Sequence, residues 1–182
     1  MKKIYLIRHG ATEGNESNGP QHDLMPLSDT GIRQTKAVSE HFKNISVDAV
    51  ISSNMARAKQ TADIIGECLK KKVVYSDLFQ EIPWPFSEKD NFLDFKERTD
   101  KALEYISSMK EENIIVVTHG NFLLLLVAIM CFGSMCTAEQ YNKMQEFFIV
   151  KNTGITTIKE KGGSYFLLTL NSHSHLDSST QT

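Results

Sequence analysis

Two histidines follow apolar runs of the same form, one near the start of the chain and one past its middle. The two segments are Ile4-Tyr5-Leu6-Ile7-Arg8-His9-Gly10 and Ile114-Ile115-Val116-Val117-Thr118-His119-Gly120. Each apolar run is typical of a strand in a parallel sheet that is buried on both faces. Because ligands bind at the carboxyl ends of the strands in open parallel sheets, we expect the two imidazoles to meet there if the strands are neighbours. The glycine after each histidine would let the backbone turn away sharply and leave room for a ligand.

Arg57 is expected to reach the same edge of the sheet from a third strand. It lies at the start of a predicted helix, just after the run Ile51-Ser52-Ser53. Helix N-termini attract anions, and a guanidinium there adds a planar set of donors that suits phosphate oxygens. Arg8, Arg57 and the two histidines would then form a compact cationic pocket in a chain whose net charge is −2. Such a pocket fits a tetrahedral dianion better than a neutral substrate.

The elements that must position these residues alternate between strand and helix. Apolar runs predict strands at 3–7, 47–52, 73–75 and 113–118, and a final hairpin at 155–160 and 165–170. Predicted helices cover about 28–42, 53–69, 92–109, 121–132 and 137–143, and 8–26 is predicted to be a loop. Ser53 or Asn54 is the expected cap of the second helix. The alternation predicts an α/β fold, a three-layer sandwich whose mostly parallel central sheet has helices on both faces and an antiparallel edge strand.

The bulk properties favour one domain that covers residues 1–182, with a short lid around 81–95 and a polar, frayed tail from residue 172. The charge balance offers no general basic surface, so nucleic acid is not expected as a partner. The longest apolar stretch, Phe122–Phe132, is too short to span a membrane. Three cysteines without a Cys-x-x-Cys pair suit a reducing compartment, and we expect a cytoplasmic protein.

The residues of the predicted site stand within motifs that resemble the histidine phosphatase superfamily, whose members include the phosphoglycerate mutases. These motifs, which cover nearly the whole chain in order, are Leu6-Ile7-Arg8-His9-Gly10-Ala11-Thr12-Glu13-Gly14-Asn15, Pro26-Leu27-Ser28-Asp29-Thr30-Gly31-Ile32-Arg33-Gln34, Ser52-Ser53-Asn54-Met55-Ala56-Arg57-Ala58-Lys59-Gln60-Thr61-Ala62, Val117-Thr118-His119-Gly120 and Asn152-Thr153-Gly154-Ile155-Thr156. The tripeptide Arg-His-Gly alone would carry little weight, whereas five motifs in this order and spacing are specific.

The resemblance implies a role for each matching position. His9 is similar to the nucleophile that takes the phosphoryl group, and Glu81 falls where the family keeps its proton donor. Arg8, Arg57 and His119 are similar to the clamp on the non-bridging oxygens. Asn15 and Thr12 are candidates for further phosphate contacts. The resemblance implies neither a metal nor a cofactor.

Simple chemistry sets two requirements on these roles. A nucleophilic imidazole must be neutral, with its second nitrogen donating a hydrogen bond, for example to a carbonyl near Gly10. An acid at Glu81 must keep its proton near neutral pH, and the apolar side chains of Pro83, Trp84 and Phe86 could raise its pKa by desolvation. Trp84 and Phe86 could equally form a wall for the substrate or close the edge of the sheet.

The sequence also departs from the family pattern. The Gly-x-x-Glu-Gly motif that commonly follows the acid is missing after Glu81, so Glu13 and Glu88 are rival acids. Residue 11 is Ala where mutases often have Glu. The segment after Glu81 is short and stiffened by prolines, whereas a mutase needs a larger cap to retain its intermediate. The short lid therefore favours a hydrolase.

These observations lead to one preferred hypothesis and three alternatives. The preferred one is a metal-independent phosphomonoesterase that acts through a phosphohistidine on His9 and takes a small phosphorylated substrate, with a phosphoprotein left open. The alternatives are a phosphoglycerate-type mutase, a phospholigand-binding regulatory protein with a weak site, and a metallohydrolase that uses His9 and His119. The substrate is not readable from the sequence, and both a monomer and a homodimer are compatible with it.

The remaining histidines are expected to lie outside the site. His22 is interpreted as a solvated loop residue and His41 as a surface residue near the end of a helix. The pair His175-Leu176 resembles a His-Leu pair near the C-terminus of many family members, and we interpret it as structural packing.

Overall fold

The computed structural model describes residues 1–83 and 91–177, and the elements named here lie within them. The strands are β1 Lys2–Arg8, β2 Ala49–Ser53, β3 Val73–Ser76, β4 Asn113–Thr118, β5 Ile155–Lys161 and β6 Ser164–Ser172. The α-helices are α1 Glu13–Glu16, α2 Asp29–Phe42, α3 Ala56–Leu69, α4 Phe92–Ser108, α5 Gly120–Phe132 and α6 Ala138–Phe147, with short 3-10 helices at Asp77–Phe79 and Gly133–Met135. No helix among the described residues is both long and apolar enough to cross a membrane.

The sheet has the strand order β3-β2-β4-β1-β5-β6. The first four strands in this order run parallel to one another, whereas β5 is antiparallel to β1, and the edge strand β6 is antiparallel to β5. The predicted α/β class, with a mostly parallel sheet and an antiparallel edge, is confirmed. The register pairs Arg8 with Thr118, so β1 and β4 end at the same level. This pairing is the condition under which the two histidines were expected to meet.

Alternation along β1 divides the core into two layers. Ile4 and Leu6 pack on the face covered by α4, α5 and α6, whereas Tyr5 and Ile7 pack on the face covered by α2 and α3. The helix α5 is apolar on all sides because it is sandwiched between the sheet and its neighbouring helices. Helices on both faces of the sheet confirm the predicted three layers.

Three predicted boundaries were wrong, each for a local reason. The stretch 8–26 is not all loop, because Thr12 and Asn15 form a capping box that starts the short helix α1. The helix α3 is capped by Met55 without a side-chain hydrogen bond, and not by Ser53 or Asn54. The last helix runs to Phe147 instead of Lys143, starting from a capping box between Thr137 and Gln140.

The structure describes parts of the predicted lid and tail. Asn91 caps α4 and residues 92–95 form its first turn, so the predicted lid range of 81–95 overlaps the start of this helix. Trp84, Phe86 and Glu88 lie outside the described residues. The strand β6 continues through Ser172, and beyond it Leu176 is only 7% exposed. His175 Nε2 lies 3.2 Å from Thr153 Oγ1, so this part of the tail packs and does not fray.

The loop after β1 lies directly against α2, and the contact depends on Gly31. A Cβ atom at Gly31 would lie 2.0 Å from the carbonyl oxygen of Ala11, and main chain cannot yield as a flexible side chain would. We expect Gly31→Ala to lower the free energy of unfolding by about 2–3 kcal/mol, although alanine usually favours a helix. Urea denaturation measures the change, and Lys36→Ala, at an exposed position of the same helix, is the matched control. A more stable Gly31→Ala protein would show that the loop does not pack as described.

Candidate active site

The two histidines meet where β1 and β4 end. Their ring centroids are 5.2 Å apart, and the ring planes are tilted by 60°. The His9 N–H extends the strand pairing by donating to Thr118 O at 2.9 Å. Both residues are almost completely buried, with exposed fractions of 1% for His9 and 0% for His119. The expected meeting of the two imidazoles at one sheet edge is therefore observed.

The hydrogen bonds of His9 define its tautomer. Arg57 Nε donates to His9 Nε2 at 3.1 Å, so Nε2 carries a lone pair and no proton. Nδ1 then holds the proton and donates it to Gly10 O at 2.8 Å. Burial lowers the pKa of His9 well below its usual value, and the nearby charges of His119, Arg8 and Arg57 lower it further. His9 is therefore a neutral imidazole at neutral pH, and the lone pair on its Nε2 accepts a hydrogen bond from Arg57 Nε.

Two arginines supply fixed positive charge beside His9. Arg57 is 3% exposed at the start of α3, where its Nη1 donates to the main-chain oxygen of His22 at 3.3 Å. Arg8 Nη1 donates to Val150 O at 2.5 Å. Burial lowers the pKa of both guanidinium groups, while the charge of Glu81 opposes that change. Arginine stays protonated under such shifts, so both side chains are cations at the site.

Ser53 holds the His119 ring in place. Ser53 Oγ accepts from the Met55 N–H at 3.2 Å and lies 2.9 Å from His119 Nε2. When the Ser53 hydroxyl donates to Nε2, a neutral His119 carries its own proton on Nδ1. Burial lowers its pKa well below the usual value, and the charges of Arg57 and Arg8 contribute to the same shift.

Two buried polar atoms of the site have no partner among the described residues, Arg8 Nε and His119 Nδ1. Buried polar atoms are nearly always hydrogen-bonded, because desolvation without a partner costs about 1–3 kcal/mol. Arg8 Nε is a donor, and His119 Nδ1 is a donor in the tautomer in which Ser53 donates to Nε2. An anion with several oxygens would satisfy both of them, as a phosphate group does.

Glu81 reaches the site from the segment after β3. Thr118 Oγ1 donates to Phe79 O at 2.7 Å and anchors that segment to β4. The Glu81 carboxylate oxygen Oε1 accepts from the main-chain N–H groups of Ile82 at 3.1 Å and Phe122 at 3.0 Å. Burial raises the pKa of Glu81, and these two N–H groups together with Arg8 and Arg57 limit the rise. Glu81 and Arg8 both line a cavity of about 380 Å³.

The structure places Thr12 and Asn15 beside His9 but engages them with each other. Asn15 Oδ1 accepts from Thr12 N at 3.2 Å and from Thr12 Oγ1 at 3.0 Å. Asn152 Nδ2 donates to the same Asn15 oxygen at 3.2 Å and to His9 O at 2.9 Å. The Thr12 hydroxyl thus serves the start of α1, and phosphate contacts by Thr12 and Asn15 stay predictions.

Sequence reasoning missed two residues that hold the histidines in place, Asn152 and Ser53. Both lie in quoted motifs, Asn152-Thr153-Gly154 and Ser52-Ser53, and this was the available signal. Of the rival acids, Glu13 is exposed on α1, and Glu88 lies outside the described residues. Within residues 1–83 and 91–177, no group of three or more His, Cys, Asp or Glu side chains could hold a metal ion.

Comparisons with known proteins find sequence relatives that are named as phosphatases. The chain is 29% identical to the uncharacterized phosphatase PhoE of Bacillus subtilis over 66% of its length and 72% of that protein. It is 28% identical to a Hydrogenobacter thermophilus protein with the provisional name phosphoserine phosphatase 2, over 96% of this chain and 98% of the other.

A solved structure extends the likeness to the fold. A histidine-to-alanine variant of phosphoserine phosphatase from Entamoeba histolytica, in complex with phosphoserine, superposes with a TM-score of 0.79 at 25% identity, over 97% of this chain and 100% of the other. The same enzyme has also been solved with 3-phosphoglyceric acid. The sequence profile of the histidine phosphatase superfamily, branch 1, matches residues 4–90 and 83–173. This chain therefore belongs to the histidine phosphatase superfamily.

Proposed function

We propose that this protein is a metal-independent phosphomonoesterase that hydrolyses a small phosphate ester through a phosphohistidine intermediate on His9. The observation that carries the proposal is the state of His9. Its Nδ1 proton is tied to Gly10 O, and its Nε2 lone pair faces the Arg57 guanidinium. A nucleophile for phosphoryl transfer needs this tautomer beside fixed positive charge.

Phosphoryl transfer to His9 follows from these contacts. The phosphate dianion enters between the two arginines, and Arg57 Nε exchanges its bond with His9 Nε2 for a phosphate oxygen. Arg8 Nε and His119 Nδ1, the two buried donors that lack partners among the described residues, take other non-bridging oxygens. His9 Nε2 then attacks phosphorus while the bond to the leaving oxygen breaks, and the surrounding cations stabilise the charge that spreads over the phosphoryl oxygens.

Glu81 completes the cycle in this proposal. Its protonated carboxyl group donates a proton to the departing oxygen, because an alkoxide is a poor leaving group. The resulting carboxylate takes a proton from a water molecule, and the water oxygen attacks the phosphohistidine. The phosphorus–nitrogen bond breaks, inorganic phosphate leaves, and both His9 and Glu81 return to their starting states. The raised pKa of Glu81 supports its role as the acid.

Three further observations support parts of this proposal. The sequence relatives PhoE and phosphoserine phosphatase 2, which match most of this chain, are named as phosphatases, and this favours a hydrolase over a mutase or a binding protein. The likeness to an enzyme solved with phosphoserine and with 3-phosphoglyceric acid supports a small phosphorylated substrate. Cys68, Cys131 and Cys136 are free thiols, which suits a cytoplasmic location.

A phosphoenzyme assay tests this function. Turnover of p-nitrophenyl phosphate is expected to persist in EDTA, and rapid quenching during turnover should trap phosphate that is stable in alkali and labile in acid, as phosphohistidine is. Loss of activity in EDTA would indicate a metallohydrolase instead. No turnover with any of a panel of phosphate esters would indicate a phospholigand-binding protein, and activity that depends on a bisphosphate primer would indicate a mutase.

A further inference from the structure

The cavity that is lined by Glu81 and Arg8 presents an unusual surface to the leaving group of the phosphate ester. Besides these two side chains, its lining includes three amides, from Gln21, Asn121 and Gln145. Among the lining residues that the structure describes, Arg8 is the only cation, and its charge is committed to the phosphate. The described part of the cavity therefore holds no second cation for a carboxylate on the leaving group.

Gln145 presents an acceptor to this cavity. Its Nε2 donates to Asn121 Oδ1 at 3.2 Å and also to Tyr141 Oη. Asn121 is fixed in turn, because its Nδ2 donates to Ile82 O at 3.0 Å. Both hydrogens of the Gln145 amide are thus used within the protein, and its carbonyl oxygen Oε1 is the group left for a ligand. An amide oxygen accepts from a hydroxyl group and repels a carboxylate.

An apolar wall stands beside this acceptor. Leu124, Phe148 and Ile149 line the same cavity, and Ile149 is 82% exposed. The wall is held next to Arg8, one of the proposed phosphate ligands, because Arg8 Nη1 donates to the main-chain oxygen of Val150, the residue after Ile149. An aromatic and two aliphatic side chains beside an amide acceptor match the two surfaces of a sugar or polyol, namely its C–H face and its hydroxyl groups.

We infer that the substrate is the phosphate ester of a neutral sugar or polyol, and that Gln145 accepts a hydrogen bond from a hydroxyl group of its leaving group. This inference rests on the phosphatase activity proposed above. This specificity differs from that of the Entamoeba histolytica relative, whose ligands phosphoserine and 3-phosphoglyceric acid both carry a carboxylate.

Glycerol 3-phosphate and 3-phosphoglycerate form a matched pair that tests the inference. They differ by a hydroxymethyl group in one and a carboxylate in the other. We expect kcat/KM to be at least about 10-fold higher for glycerol 3-phosphate, since a carboxylate would stay unpaired beside an amide oxygen. Equal or faster hydrolysis of 3-phosphoglycerate would overturn the inference. If the protein hydrolysed neither of these two esters nor p-nitrophenyl phosphate, the result would contradict the proposed function.

Two substitutions test the role of Gln145 itself. Gln145→Leu should lower kcat/KM for glycerol 3-phosphate by about 10-fold more than for phenyl phosphate. Phenyl phosphate also has a poor leaving group, but this group has no hydroxyl that could donate to Gln145. An equal loss on both esters would show that Gln145 acts only by holding Asn121 and, through it, the main chain at Ile82, and would contradict the proposal. Gln145→Arg should shift the preference towards 3-phosphoglycerate by about 10-fold or more. Glu146→Gln, at an exposed neighbouring position of α6, should leave the preference unchanged.

Discussion

Replacing His9 by alanine is expected to lower kcat/KM for p-nitrophenyl phosphate by about 10⁴-fold or more. The substitution removes the Nε2 lone pair that forms the bond to phosphorus, while Arg8, Arg57 and His119 can still bind the phosphate group. The acid-labile phosphate trapped by rapid quenching should disappear together with turnover. Steady-state kinetics and quench experiments on the same preparation measure both quantities.

The control for His9→Ala must separate loss of the nucleophile from loss of the fold. His41→Ala, at an exposed position of α2, should retain full activity. Circular dichroism should show that the His9 variant stays folded, because the buried backbone of β1 remains paired on both sides with β4 and β5. Activity within 10-fold of wild type in a folded His9→Ala protein would show that the nucleophile lies elsewhere.

Strand order explains why the sequence could predict the centre of the site. Each of His9, His119 and Arg57 follows an apolar run, and such runs become parallel strands whose carboxyl ends lie at one edge. The prediction still depended on β1 and β4 being neighbours, which the sequence does not specify. The residues that hold these side chains in place could not be predicted from the sequence for the same reason. Asn152 lies 143 positions from His9, and no local pattern indicates that its amide holds the His9 carbonyl.

A competing use of Ser53 accounts for one wrong expectation, and packing gives the requirement for Gly10 a different cause. Ser53 was expected to cap α3, but its hydroxyl group is used by His119, so the helix starts without a side-chain cap. Gly10 does not have a positive φ angle, so its conformation alone does not require glycine. A Cβ at Gly10 would lie 2.6 Å from Gly31 O and 2.7 Å from Thr35 Oγ1. Glycine is required there because the loop with the nucleophile packs against α2, a tertiary contact that local sequence does not reveal.

The second large effect is expected from Glu81→Gln, and its size should depend on the leaving group. Hydrolysis of phenyl phosphate should slow by about 10²–10⁴-fold, whereas p-nitrophenyl phosphate should lose less than about 10-fold, because p-nitrophenolate departs without a proton. Glutamine has the shape of glutamate and keeps an oxygen to accept from Ile82 N and Phe122 N. The substitution therefore removes the acidic proton of the carboxyl group and preserves the hydrogen bonds of the side chain to these two N–H groups. Comparing kcat/KM for the two esters measures the effect.

The same variant should change the pH dependence in a direction fixed by the two pKa shifts. An acid works only while protonated, so wild-type kcat/KM for phenyl phosphate should fall as pH rises through the raised pKa of Glu81. The nucleophile works only while neutral, so activity should also fall at low pH, below the usual range for histidine, because the pKa of His9 is lowered. Glu81→Gln should remove the high-pH limb alone.

Glu13→Gln and Glu88→Gln are the comparisons that assign the acid. Glu13 is exposed on α1, and its substitution should change neither the ratio between the two esters nor the pH profile. If Glu88→Gln were to give the leaving-group dependence and Glu81→Gln were not, Glu88 would be the acid. Equal slowing of both esters by Glu81→Gln would instead mean that its carboxylate only orients α5 through Phe122 N. Proton donation and positioning thus predict different kinetics for the same substitution, since only a proton donor is sensitive to how much its leaving group needs the proton.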